Sequence, residues 1–495
     1  MKKFGQFIVK ARHAILIIGI LLLIPAAIGY FNTRVNYDLL YYLPDGIDTM
    51  EGQDILMDEF HSGAFGIVMV DKMSDSDVSK LKVKMEEVDH VSKVLWYDTF
   101  ADLGMPKSML PSEVYDAFNK NTSTIMLVIF DDSSSGDGTM KAINEIRNVT
   151  KHQCMISGIS AIVTDTKDLS EHETPIYVCI AVVLSIIILS LLMDSFMVPI
   201  FFLLSIGMAI VYNLGSNFIM GEISYVTKAL AAVLQLGVTM DYSIFLWHSY
   251  EEHLEKLGGD NKKAMSNAIA ATISSVVGSS ITTVVGFIAL CFMSFTLGLD
   301  LGIVMAKGVI LGVISCVTIL PSFILVFDKI INKTKHRQIL PDFNKVPAFI
   351  SKHYKIFVAL FILLLVPAIY GQSNAKVYYD LSLSLPDSLD SVAAQNKLSK
   401  DYDLGSANII LLSTKTPSKN VAALLNEVKK VDGVQMALGM ESVLDDSVPD
   451  AFIPEKLTKE LQSDDHEMLI FMSAYKTGSD EANAQCNAVE KIIKK

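Results

Sequence analysis

Seven apolar stretches constrain this chain before anything else does. They lie at Ala14–Tyr30, Ile176–Met193, Met197–Ile219, Ser224–Trp247, Ala270–Phe295, Gly302–Phe327 and Ile356–Tyr370. A helix crosses the hydrocarbon core of a bilayer with roughly 20 such residues. Of the 495 residues, 51% are hydrophobic and only 19% charged, a balance that fits a multi-span α-helical membrane protein carrying sizeable polar parts. The lipid bilayer is therefore the first expected partner.

The net charge of −13 is unevenly placed. Acidic residues gather in the two polar regions, 31–174 and 372–495, and basic ones in short loops. Lys2, Lys3, Lys10 and Arg12 precede the first stretch with no acid among them, which puts the N-terminus in the cytoplasm by the positive-inside rule. A cleaved signal peptide competes with that reading, but no small-x-small site leads into an ordinary mature start. The loop 328–354 is also basic, so both polar regions are expected outside the cell membrane. The organisation read from this is a first span within 1–30, a polar domain at 31–174, and five spans within 175–327. A basic loop (328–354), a seventh span (355–371) and a second polar domain (372–495) follow. An acidic chain gives no reason to expect nucleic acid.

The first polar region reads as alternating elements. Helices are expected at Thr49–Phe60, Ser74–Val88, around Pro111–Phe118 and at Thr139–Lys151. Strands are expected at Gly66–Asp71, Ser92–Tyr97, Thr124–Phe130 and Gln153–Ser157. Two β-α-β passes of this kind fit a ferredoxin-like α+β unit. The second region repeats the first. LIPAAIGY and VNYDLLYYLPDG return as LVPAIYGQ and VYYDLSLSLPDS, with Pro25 and Pro367, Asp38 and Asp380, and Asp45 and Asp387 each 342 residues apart. Met126 and Met468 stand at the same spacing, while EEVDHVSKV (86–94) resembles NEVKKVDGV (426–434) with a slip of two. Tandem repeats of this kind are common in transporters. The second repeat stops short of its closing strand and five spans, so the expectation is a C-terminally incomplete form of a longer protein, against a genuine seven-span chain.

One residue stands out inside a span. Asp241 lies 16 residues after Tyr225, roughly 24 Å along a helix, too deep to snorkel. An acid there costs on the order of 3 kcal/mol, so it marks a functional position by default. A proton or cation relay competes with a polar residue paired quietly inside a bundle. Tyr242 points about 100° away around the helix and is suited to serve an acid on a facing helix. Gly237, one turn before Asp241, would let another helix come close. Thr282 and Thr283 form a candidate polar path, with hydrogen bonding back to their own helix as the plainer alternative. Lys228 and Lys307, near span ends, are expected to snorkel or pair locally. Substrate-binding residues are not legible. The five cysteines are scattered without a disulfide framework or metal spacing, and no phosphate-cradling glycine motif appears, so neither metal nor cofactor is expected. The absence of a nucleotide motif leaves an ion gradient as the energy source, and no nucleophile or base constellation suggests an enzyme.

These motifs carry a resemblance. LGVTMDYSIFL (236–246) resembles the fourth-span pattern of the resistance-nodulation-division (RND) superfamily, closest to its MMPL branch of lipid and drug exporters. AIAATISSVVGSSITTVVGFIAL (268–290) and LPSFI (320–324) are similar to the fifth- and sixth-span patterns of that family. The resemblance implies two extracytoplasmic porter-type α+β domains and proton-driven export of hydrophobic or amphipathic compounds. It also implies a relay built from Asp241 and Tyr242 and a second Asp-Tyr pair on a tenth span, which this sequence lacks. Members occur as monomers and as trimers, so a homo-oligomer stays open. A non-transporting membrane sensor or scaffold with a sterol-sensing-like block, and a SecDF-like export accessory, are the alternatives.

Overall fold

The computed structural model describes residues 1–38, 40–44, 46–60, 62–98, 115, 118–120, 122–151, 153–336, 345–375, 385–440 and 461–494. In chain order these residues form α1 (Lys2–Asn32), β1 (Arg34–Asn36), α2 (Asp48–Phe60), β2 (Ala64–Asp71), α3 (Asp75–Glu86), β3 (Val91–Leu95), β4 (Asn119–Lys120), β5 (Ser123–Phe130), α4 (Asp137–Val149) and β6 (Cys154–Ser157). Next come α5 (Ile159–Leu192), α6 (Met197–Gly215), β7 (Glu222–Ser224), α7 (Tyr225–Lys256), α8 (Asn261–Leu290), α9 (Leu297–Val326), α10 (Asp328–Lys333), α11 (Lys345–Lys352) and α12 (Tyr354–Ser373). The chain continues with α13 (Asp390–Tyr402), β8 (Ser406–Ser413), α14 (Ser418–Val428), β9 (Val434–Leu438), β10 (His466–Ser473) and α15 (Asp480–Ile493). The helix expected around Pro111–Phe118, and Asp45, Arg337 and Asp380, lie outside the described residues. Two compact units divide the chain: Met1–Pro44 with Ser170–Asn374, and Asp45–Leu169 with Ala375–Lys495.

The first unit is helical. Among the described residues seven helices are long and apolar enough to cross a membrane: α1, α5, α6 with the 3-10 turn after it, α7, α8, α9 and α12. The two units divide at 169/170, inside α5, which begins at Ile159, before the 174/175 boundary read from the sequence. Polar residues such as Lys167 and Glu173, which read as the end of a soluble domain, lie in the early turns of that helix. Likewise α7 runs nine residues beyond the apolar stretch and stops at Gly258 and Gly259, whose φ values of +60° and +94° no side-chain-bearing residue adopts readily. α9 packs against α1, α6, α7 and α8. It can do so because its faces are lined with small residues, among them Gly302, Gly308 and Gly312. α12 buries none of its residues. At one end of the bundle β1 and β7 pair in parallel, Arg34 opposite Glu222, tying the end of α1 to the start of α7.

α1 and α6 cross in backbone contact. A Cβ added to Gly29 would stand 2.1 Å from the Gly215 carbonyl oxygen, and one added to Gly215 would stand 2.1 Å from that of Ala26. The neighbour in each case is main chain, which cannot swing aside.

The second unit holds two α+β modules. In the first, antiparallel strands run in the order β3-β5-β2-β6, with β4 added to β5. α3 and α4 cover one face through Val78, Leu81, Met85, Ile143 and Ile146. In the second, the order is β8-β10-β9, antiparallel, with α14 and α15 packed on it. Equivalent elements stand 342 residues apart as far as β2 and β8, then 343 apart from α3 and α14 onward. The turn 414–417 holds one residue more than 72–74. The pairing of Met126 with Met468 is therefore corrected by one place. Met126 lies opposite Val68 and Leu469 opposite Ile410, so Met126 corresponds to Leu469. Side-chain direction alternates along a strand, so only this register keeps both side chains in their cores. The slip of two at 86–94 is corrected to one in the other direction: Leu95 opposite Leu127 corresponds to Leu438 opposite Ile470.

The leading helix of each module lies on the other. α13 packs on β6 and, with Leu398 and Tyr402, covers the face of the first sheet made by Ile67, Met69 and Ile125. Ser391 donates its amide to Asp165 Oδ2 at 2.9 Å, while Arg147 holds Asp165 Oδ1 at 2.7 Å, both residues buried. Lys397 pairs with Asp71. Reciprocally, Glu59 at the end of α2 meets His466 at 2.9 Å and accepts from Ser463.

Gly215→Ala should lower the thermal stability of the detergent-solubilised chain by the equivalent of about 1–3 kcal/mol. Gly207→Ala, where nothing lies within 4 Å of the added carbon, should shift it by less than about 1 kcal/mol. The hydroxyl of Ser463, then His466, hold the Glu59 carboxyl below its usual value of 4.5. A lowered folded-state pKa means that the α2 contact is fully supported above the ordinary value and is lost as pH falls through the lowered one. Hydrogen-exchange protection factors over 461–470, corrected for the intrinsic pH dependence of exchange, should therefore fall as pH drops through that lowered value.

Candidate functional site

α7 starts where a serine can cap it. Ser224 is extended, and its hydroxyl accepts from the Val226 amide at 3.2 Å. Asp300, from the first turn of α9, adds a carboxylate to the same helix start. Its Oδ2 accepts from the Ser224 amide at 2.8 Å and from the Thr227 hydroxyl at 2.6 Å. Negative charge at a helix N-terminus is favourable, and here it locks α9 to α7.

From that start the helix presents two contrasting faces. Tyr242, Leu246, Trp247 and Tyr250 are buried in the main core of the bundle with Phe202, Ile269 and Leu320. Gln235, Thr239 and Ser243 are buried on this side as well. On the other side Leu230, Val233, Leu234, Gly237, Asp241 and Phe245 form an exposed stripe, spaced three and four residues apart as one helical face requires.

Asp241 is thus on the open face of the bundle, not inside it. Among the described residues nothing covers the carboxyl, and the reason is local. Bulky aromatic residues and α9's close approach claim the opposite side of α7, and a neighbour in sequence turns about 100° away. The same geometry places Tyr242, expected to serve an acid on a facing helix, in the core of the bundle at 6% exposure. A Cβ added at Gly237 would meet nothing within 4 Å, so no helix approaches it among the described residues. Thr282 and Thr283, the candidate polar path, both hydrogen-bond to the Ser279 carbonyl of their own helix, at 2.7 and 3.3 Å. Lys228 lies over the Tyr30 ring, 5.4 Å from its centre, and Lys307 donates to Asn217 at 2.5 Å, so both have local partners.

Sequence reasoning missed Asp300, Asn213, Asn217 and Gln235. Their signal was present as polar side chains inside or beside apolar runs, but attention went to the one acid near a span centre. Among the described residues no group of three His, Cys, Asp or Glu side chains is placed to hold a metal ion.

Residues 116–344 match the model of the MMPL family. Over 96 residues the chain is 35% identical to a membrane protein of Methanocaldococcus jannaschii, covering 19% of this chain and 24% of that one. Over 313 residues it is 25% identical to an apo-petrobactin exporter of Bacillus anthracis, covering 58% and 42%. Over 180 residues it is 24% identical to a siderophore exporter of Mycobacterium tuberculosis, covering 35% and 18%. Each match spans less than half the length of the relative.

Asp300→Leu removes the oxygen that accepts both bonds at the start of α7 and should destabilise the bundle by about 1–3 kcal/mol. Asp300→Asn keeps an oxygen there and should retain most of that stability. Thermal unfolding of the two variants in detergent checks the contrast.

Proposed function

Because this chain belongs to the RND/MMPL type of membrane transporter, we propose that it serves proton-motive-force-driven export of hydrophobic or amphipathic compounds across the cell membrane. The observation that carries the reading is Asp241, a lone carboxylate on an otherwise apolar stripe of a helix long enough to span the membrane. Left against lipid, such a group costs on the order of 3 kcal/mol. The stripe therefore needs a protein cover, and Gly237 one turn away leaves room for a helix to approach. In this reading a second bundle lies on that face, from the rest of a longer chain or from another copy, and encloses Asp241 in a relay. Tyr242 stiffens the relay helix from the core side.

The two α+β modules are proposed to be ferredoxin-like, porter-type domains on the outer side, with the N-terminus in the cytoplasm. The strand order β3-β5-β2-β6 with helices on one face supports the first point, and the basic residues before the first span support the second. One relative is named a siderophore exporter and another an apo-petrobactin exporter, so siderophores and petrobactin-like compounds join lipids and drugs as substrate classes. Gradient changes at Asp241 would bias two bundle arrangements that move the modules; one proton is worth ~2.3 kcal/mol per 100 mV.

In the complete protein, Asp241→Asn should abolish gradient-driven export from energised vesicles while the amount of protein in the membrane stays unchanged. Export surviving in that variant would overturn the relay.

A further inference from the structure

The buried side of α7 meets α6 and α9 along a seam that the Asp241 reading does not use. Following α9 from its start, Asp300 faces Ser224 and Thr227. Lys307 Nζ then donates to Asn217 Oδ1, just after α6, at 2.5 Å. Gly308 lies beside Asn213 and Gln235, which are joined by a 3.1 Å hydrogen bond from Asn213 Nδ2 to Gln235 Oε1. Gly312 lies against Thr239. From Asp300 to Gly312 the seam runs roughly 18 Å along the helix.

Four atoms on this seam have no hydrogen-bond partner among the described residues: Asp300 Oδ1, Asn217 Nδ2, Asn213 Oδ1 and Gln235 Nε2. Their residues are 6, 0, 1 and 3% exposed. A buried polar atom left unpaired costs about 1–3 kcal/mol, and native interiors rarely leave several together. Turning over both amides of the Asn213–Gln235 pair swaps their roles and still leaves one donor and one acceptor unmatched. The four therefore present two acceptors and two donors. A bare metal ion would take oxygens only, and the Lys307 ammonium would oppose it. An anion would take donors only, and the Asp300 carboxylate would oppose it. Water both donates and accepts, and buried waters hold two to four such partners.

We propose that α6, α7 and α9 enclose a row of separate bound waters along this seam, held at successive levels by Asp300, by Asn217 beside Lys307, and by Asn213 with Gln235, on the side of α7 opposite Asp241. These waters are structural ligands of the bundle interior whatever the chain transports.

The row is tested by X-ray radiolysis of the full chain in lipid nanodiscs, with side-chain oxidation read by mass spectrometry. Radicals made in place from bound water label the side chains beside it even when bulk solvent is excluded. Met305 is 4% exposed and packs with Ala231 and Val304, one turn from Gln235 and from Gly308. Met265 is fully buried in the main core. Met305 should be oxidised several-fold faster than Met265 in the same sample. The Asn213→Leu, Gln235→Leu double variant should bring Met305 down to the Met265 rate, with the half-exposed Met293 unchanged. Equal, slow oxidation of Met305 and Met265 in the unaltered chain overturns the proposal, and that comparison needs no variant to fold. Undiminished Met305 labelling in a folded double variant overturns it too. Neither readout depends on transport.

Discussion

How closely α9 lets its neighbours approach decides the rest of the bundle. Dispersion contacts between atoms fall away within an ångström of extra separation, and inside lipid they carry much of helix association. Gly302 and Gly312 bring α8 and α7 to within a side-chain methyl of α9's backbone. That approach fixes how α7 is rotated. Once Thr239 is seated at Gly312, Tyr242 and Leu246 turn inward and Asp241 turns out.

This explains what the sequence could and could not disclose. Apolar runs announce a span because hydrocarbon tolerates nothing else, and all seven helices were legible in this way. Short unbroken apolar runs announced β2 and β5, whose Val68, Val70, Met126 and Val128 point into one core while Ile67, Met69 and Ile125 face the other. The facing of a helix was harder to read. Hydropathy treats Asp241 and Gln235 as breaks in a run, yet they lie on opposite sides of α7, and only the packing of α9 tells them apart. Thr282 and Thr283 illustrate a second limit. A hydroxyl in a helix has a carbonyl within reach one turn back, so its presence says little about a path. The register of the second module was hidden by a single residue added to the turn 414–417, which a match of Met with Met could not reveal.

α7 thus carries two kinds of polarity. On one side a charge stands on an apolar stripe, where its energy depends on what comes to cover it. On the other, neutral amides and hydroxyls are closed in by three helices, where their energy depends on filling every hydrogen-bonding position. The first arrangement suits a group whose charge changes during work. The second suits a fixed, solvated interior that keeps α6, α7 and α9 in one spacing.

The reciprocal seating of α2 and α13 has a mechanical meaning. Each α+β module grips the other by the helix that opens it, α2 for the first and α13 for the second. Neither can be drawn away without baring Ile67, Met69 and Ile125 on one side or breaking the Glu59–His466 clasp on the other. Two lobes joined in this manner hold each other, so loosening either contact weakens the seating of both.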